Sequence, residues 1–254
     1  MDRTGYLGFD MALLTSPAVV IGSMRLGEAD KLVTFFTLGR GKLKGVAQGA
    51  RRVKSRFGSA LEPFSHVSVV LFERPPGQLA RINQVDLVHS FQEVRRELET
   101  IKIGANMINL VNRLTPEAEA NAKIFRLLVE GFSLLDHRLD PPLSELLFVI
   151  RLVAFCGYQP RWDRCLRCQH EILDQSISFS AGLGGAVCAA CAKGVTSLLC
   201  TVSRGSLAFL RSAQQMDFVT AHRLRATSSM MAEIRKLLKS QLTYILGYPP
   251  VLAS

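Results

Sequence analysis

Four cysteines fall in two Cys-x2-Cys pairs, Cys165 with Cys168 and Cys188 with Cys191, and nineteen residues separate the pairs. Each pair forms a compact knuckle that can turn both sulfurs toward one ion. Two knuckles complete a tetrahedral shell of four thiolates, the geometry Zn(II) accepts without electronic preference. The separation lies inside the window of about fifteen to twenty residues typical of such modules. Four protein sulfurs leave no open coordination position, so the expected cofactor is a structural Zn(II) held by Cys165, Cys168, Cys188 and Cys191. A redox Cys-x-x-Cys would sit as a single motif beside a βαβ pattern, and neither pair does. His170 could replace a sulfur, but four cysteines make it unnecessary. The glycines Gly182, Gly184 and Gly185 read as the turn before the second knuckle, because no helical pattern follows closely enough for a dinucleotide site. Cys156 lies on an apolar helix as a small hydrophobe, and Cys200 has no evident role.

A secreted disulfide framework normally occupies a short chain behind a signal peptide. This chain has 254 residues, and its opening MDRTGYLGFD is acidic and without a hydrophobic segment. Its longest apolar stretch, Leu146 to Tyr158, is cut by Arg151 and is shorter than the roughly 18–20 residues a bilayer requires. A cytoplasmic protein without a membrane span is expected. With hydrophobic residues at 48% and charged residues at 20%, the chain can bury a sizeable core.

Charge is unevenly distributed. The formal net charge is +10, from 31 basic and 21 acidic residues. Between Asp30 and Glu62 stand eight cations and no acid: Lys31, Arg40, Lys42, Lys44, Arg51, Arg52, Lys54 and Arg56. The tail from 192 adds eight basic residues against two acidic ones, and the remainder is near neutral. A concentrated basic patch suits a polyanionic partner. Residues 39–58 are also rich in glycine and alanine, which lets a backbone approach closely, and Phe35, Phe36, Phe57, Phe64 and Phe72 surround them. Barrels that bind single strands combine such a cationic groove with aromatic faces for the bases. The bland reading is a solvated loop with phenylalanines in the core. The eight cations are expected to contact phosphates without sequence specificity, since no base-reading helix is evident.

Hydrophobic periodicity divides the chain. Up to about residue 91, short runs separated by turn residues read as strands: Met11–Leu14 and Ala18–Ile21 on either side of Pro17, then Leu32–Leu38, Leu43–Ala47, Val67–Phe72 and Leu79–Val88, the last two split by Pro75-Pro76-Gly77. Five or so strands in about 80 residues fit a small barrel, OB-type first and SH3-like second. From Gln92 the period becomes helical, through Val94 to Ile108, Ile124 to Leu135 and Leu143 to Ala154, with Pro116 expected to end one helix and open the next. Residues 161–192 lack either period and read as a loop-rich insert. Helical spacing returns at Leu207 and Leu210 and from Met231 to Ile245, ending at Gly247. The expected fold is α+β: an N-terminal OB-type β-barrel over 1–91, an α-helical domain over 92–160, an inserted four-cysteine zinc module over 161–192, and C-terminal helices over 193–254 packing on the helical domain.

No catalytic constellation stands out, as the chain lacks G-x-S-x-G, H-E-x-x-H and P-loop patterns, so a non-enzymatic protein is expected. An RNA- or ribosome-associated zinc protein would share the barrel, the basic loop and the four-sulfur site, and is the alternative. A nuclease or transferase would need carboxylates near the basic segment, which has none between Asp30 and Glu62.

Glu28-Ala-Asp-Lys-Leu32, Phe36-Thr37, Gly41-Lys42-Leu43, Gly49-Ala-Arg51-Arg52-Val-Lys54-Ser55 and Leu61-Glu-Pro63-Phe64, then Arg151 to Gly157-Tyr158, both cysteine pairs, Phe179 and Gly184-Gly185 stand in this order along the chain. These ordered motifs resemble the RecO family, the bacterial recombination mediators of DNA repair. The likeness spans about residues 10–192, and across 92–145 it is one of pattern alone. It implies an OB barrel, a helical domain and a zinc module, binding to single- and double-stranded DNA, and annealing of complementary strands. It also implies partnership with RecR, contact with the C-terminal tail of single-strand-binding protein, and help in loading RecA onto strands coated by that protein. The implied location is the cytoplasm, at the nucleoid.

Overall fold

The computed structural model describes residues 13–72, 79–172, 175–195 and 199–252. The turn expected at Pro75-Pro76-Gly77 and the start of the Met11 run lie outside the described residues. The chain divides into two compact units. One comprises the first 91 residues together with Pro116–Phe125, and the other Gln92–Thr115 with Arg126–Ser254.

The first unit is a closed barrel of β1 (Leu13–Leu26), β2 (Asp30–Thr37), β3 (Gly41–Ala47), β4 (His66–Phe72) and β5 (Ala80–His89), in the order β1-β2-β3-β5-β4 with β4 returning to β1. Neighbours run antiparallel except β3 and β5, which pair in parallel at Gly45↔Ala80 and Val46↔Arg81. Alternate side chains point inward, as the strand period requires. Ala18 and Val20, Val33 and Phe35, and Val67, Val69 and Leu71 all belong to one buried cluster. Opposite Val70 and Leu71 of β4 the register shifts, so that Asn83 of β5 is an extra residue and both Ile82 and Val85 face the core. Gly45 is required at the seam, since a Cβ there would meet Ile82 Cγ1 at 2.8 Å.

The two runs on either side of Pro17 form one continuous strand rather than two. Pro17 pairs with Ser68 of β4, and its carbonyl accepts from Leu38 N–H just past the last β2 pair, so the missing proline N–H falls where that ladder ends.

The second unit is built on α3 (Pro141–Phe155), buried over most of its length and packed against α1 (Leu98–Leu114), α5 (Arg204–Gln215) and α7 (Ser228–Leu246). Asp140 caps α3 by accepting from Leu143 N–H, with prolines in the first turn. Arg151, which interrupts the longest apolar stretch, is buried on α3. Its guanidinium lies over the Phe218 ring at 5.3 Å and donates to the Met216 carbonyl. Phe218 opens the short helix α6 (Phe218–Ala221).

Two expectations are corrected. Pro116 ends α1, because the residue before a proline is driven out of the helical region, and Thr115 is extended. It does not open the next helix: α2 (Ala122–Asp136) starts six residues later, where Asn121 accepts from Ile124 N–H. Residues 161–192 are more than loop. β6 (Ser176–Ser180) pairs with β7 (Gly185–Val187) and with β8 (Leu199–Ser203), and α4 (Ala189–Ala192) lies between β7 and β8. Glu233 of α7 fastens this sheet to α5, accepting from Ser203 N–H and from the hydroxyls of Ser203 and Ser206. Among the described residues, no helix is long and apolar enough to cross a membrane.

Candidate nucleic-acid interface and metal centre

On β3 the inward positions are Leu43, Gly45 and Ala47, so Lys42 and Lys44 project outward from the barrel. Arg40 sits in the turn that opens β3, and Lys31 stands opposite Ala47 at its far end. Arg51, Arg52, Lys54 and Arg56 follow in the loop beyond Ala47. Seven residues of β3 cover about 20 Å, so the eight cations form a stripe rather than one cluster.

Their environments differ. Lys31 Nζ is 2.7 Å from Glu62 Oε1, and Lys44 Nζ is 2.5 Å from Glu117 Oε1. Lys42 is only 8% exposed, and burial lowers its pKa, against the pull of Glu117. Arg51 serves the fold: its guanidinium donates to the carbonyls of Gly27 and Glu28, and its N–H to Ala29, tying the loop to the β1–β2 turn. Arg40, Arg52, Lys54 and Arg56 are exposed, as is Val53 between two of them. Of the aromatics expected around the segment, Phe35, Phe36, Phe57 and Phe64 are buried, and so belong to the core rather than to a stacking platform. Sequence reasoning could count the cations but not find Glu62 and Glu117, which come from distant parts of the chain.

The four cysteines of the two pairs converge. Their Sγ atoms all lie within 4.8 Å of one another, and Cys168 Sγ is 3.8 Å from Cys188 Sγ. Zinc–sulfur bonds of about 2.3 Å define a tetrahedron with edges of about 3.8 Å, so the cluster could hold a metal ion and is compatible with zinc. In the first knuckle Gln169 N–H donates to the Cys165 carbonyl, and Gln169 takes a left-handed φ of 61°. In the second, Cys188 precedes α4 and its carbonyl accepts from Ala192 N–H. Leu166 N–H donates to Ala186, Ala186 N–H to Arg161, and the Arg167 guanidinium to Gly194, which holds the knuckles together. Trp162, three residues before the first ligand, is 7% exposed and lies against Phe179 of β6 with ring centroids 5.5 Å apart.

Burial pushes the Cys165 thiol up, but hydrogen bonds from the backbone of Cys168, Cys188 and Arg167 outweigh it and bring it down to about 6. Its sulfur neighbours, Cys188 foremost, push Cys191 up to about 12. Several thiolates this close cannot all charge without a cation among them, and a divalent ion removes that conflict. Outside the cluster, burial pushes both Cys156 and Cys200 up to about 11, which suits unreactive thiols in an apolar setting.

A barrel with a basic stripe, followed by a helical unit carrying a four-sulfur cluster, has a match in known proteins. Residues 11–91 match the family model for the N-terminal part of recombination protein O, and residues 95–251 match that for its C-terminal part. The chain belongs to the RecO family. Proteins similar to it include the DNA repair protein RecO of Anaeromyxobacter dehalogenans, 33% identical over 238 residues that cover 94% of this chain and 92% of that one. The DNA repair protein RecO of Syntrophotalea carbinolica is 34% identical over 195 residues, 76% of each chain. That of Geobacter sulfurreducens is 35% identical over 176 residues, 69% of this chain and 72% of that one. The RecO match reaches residue 251, beyond the 10–192 span of the motifs. It favours DNA repair over the RNA- or ribosome-associated alternative.

Proposed function

We propose that this RecO-family chain is a non-enzymatic recombination mediator. It binds single- and double-stranded DNA along the basic stripe of its barrel, anneals complementary strands, and works with RecR to help load RecA onto strands coated by single-strand-binding protein. The observation that carries this reading is the run of eight cations with no acid among them in the sequence, laid out along β2, β3 and the loop after them. A stripe of lysine and arginine neutralises phosphates and releases their counterions, so two strands that repel one another can approach on its surface. The phosphate-binding stripe is assigned to Lys31, Arg40, Lys42, Lys44, Arg51, Arg52, Lys54 and Arg56, with the most direct contacts from Arg40, Lys44, Arg52, Lys54 and Arg56, while Lys31 is held on Glu62 and Arg51, though exposed, places the loop.

Cys165, Cys168, Cys188 and Cys191 would hold a structural Zn(II), which when bound fixes the two knuckles against the β6–β7 hairpin. Contact with the acidic tail of single-strand-binding protein and an address at the nucleoid of the cytoplasm belong to the same proposal.

An annealing assay tests it: complementary strands, each coated with single-strand-binding protein, mixed with the chain, with and without RecR. Annealing that depends on the chain, and that falls when Arg52, Lys54 and Arg56 become alanine, is the expected result. Annealing indifferent to those three residues would overturn the assignment.

A further inference from the structure

The outward edge of β3 is not open along its length. Strand β5 pairs with β3 at Gly45 and Val46, leaving the Gly41–Lys44 half to another partner. That partner is the acidic segment after α1, which groups with the barrel. Glu117 forms a parallel bridge with Lys42, and Ala118 N–H donates to the Lys42 carbonyl at 2.9 Å. The Glu117 carboxylate lies on Lys44. Glu119 passes so close to Gly41 that a Cβ there would meet its carbonyl oxygen at 1.8 Å. Lys42, outward-facing yet only 8% exposed, lies at the point where this segment bridges β3.

A carboxylate on Lys44 and a backbone laid along β3 occupy the place that a strand of nucleic acid would take. We propose that residues 116–119 are an acidic strap, which covers this half of β3 in the free protein and lifts off when single-stranded DNA binds. The proposal rests on the barrel stripe being the DNA interface. The strap is built to be displaced. Its ion pair is well exposed, at 43% for Lys44 and 61% for Glu117, and such pairs are weak and screened by salt. Ala118 is held at a φ of 57°, a left-handed conformation that alanine rarely adopts, and release relaxes it. Once the strap is off, Lys44 and the covered Lys42 both face the phosphates, so the interface gains cations as it forms.

The test is a double-mutant cycle on binding of a fluorescein-labelled oligothymidylate to the full chain, with Glu99→Gln as the charge-matched reference. Glu117→Gln should bind about two- to five-fold tighter than that reference, the range an exposed ion pair supports. In a Lys44→Ala background the gain should fall below about 1.5-fold, because the partner it frees is gone. Hydrogen–deuterium exchange supplies a readout independent of substitution: the peptide containing Ala118 should exchange faster with oligothymidylate bound than without. If Lys44→Ala weakens binding while Glu117→Gln gains nothing, or gains equally in both backgrounds, the strap is refuted and the interface stands. Protection of residues 116–121 by DNA, or no change there, also refutes it. If Lys44→Ala leaves binding unchanged, the interface reading fails at β3 and the strap fails with it.

Discussion

Salt dependence should sort the basic stripe into groups that meet phosphate and groups already committed elsewhere. Arg52, Lys54 and Arg56 stand exposed in the loop after β3, whereas Lys31 is 21% exposed and held by Glu62 at 2.7 Å. Each phosphate neutralised on a single strand contributes about 0.7 to the slope of log affinity against log salt. Replacing Arg52, Lys54 and Arg56 together by alanine should flatten the slope by about 2.1, so that raising salt from about 50 to 200 mM costs the variant roughly 18-fold less affinity than it costs the wild type. Lys31→Ala should leave the slope within about 0.3 of wild type, because Lys31 is 21% exposed against 43% for Lys44, and Glu62, unlike Glu117 on the proposed strap, stays beside its lysine. Fluorescence anisotropy with a labelled oligothymidylate, repeated across that salt range, measures both. A triple variant with the wild-type slope would refute the reasoning. So would a Lys31→Ala variant that flattens the slope as much as Lys54→Ala does.

Three further outcomes are expected. Freshly purified protein should carry about one equivalent of zinc by elemental analysis, and Cys188→Ser should lose it and destabilise the second unit by about 4 kcal/mol or more in thermal melts; a metal-free protein with an intact fold would contradict the four-thiolate assignment. Gly45→Ala should cost the barrel about 1–3 kcal/mol in urea unfolding, and less in an Ile82→Ala background that removes the clashing atoms; equal costs in both backgrounds would count against the seam contact. Hydrogen bonds from Ser203 and Ser206 hold the Glu233 carboxyl below its usual 4.5, so the stability it contributes is fully present above that value and is lost as pH falls from there through the folded pKa. Glu233→Gln should flatten the acid limb of the stability–pH curve, and an unchanged limb would remove Glu233 as its source.

The strands of the barrel were legible because alternate residues of β2, β3 and β4 carry the core, and period-two patterning is a local signal. The cysteine pairs were legible because two-residue spacing within a knuckle is also local. What escaped is non-local. Ser176–Ser180 has only Ile177 and Phe179 to mark it as a strand, and its outer partner β8 arrives beyond the second knuckle, so no window of sequence contains the pairing. The docking of 116–119 left its trace in Gly41, a glycine that reads as an ordinary turn residue until Glu119 is seen beside it. The charge run was visible at once. Its division into paired, buried and open cations depends on Glu62 and Glu117, each fixed by tertiary structure.

Trp162 is the chain's one tryptophan, set against Phe179 beside the cysteine cluster. Its emission is therefore a spectroscopic channel belonging to the sulfur-bearing unit alone, while the barrel is dark at tryptophan wavelengths. Stripping a metal from the knuckles would loosen the indole's packing and move its emission to the red, whereas a strand docking on the barrel stripe is read through a label on the DNA. Metal occupancy and DNA occupancy can thus be followed in one cuvette, on the unmodified protein, as two separate signals.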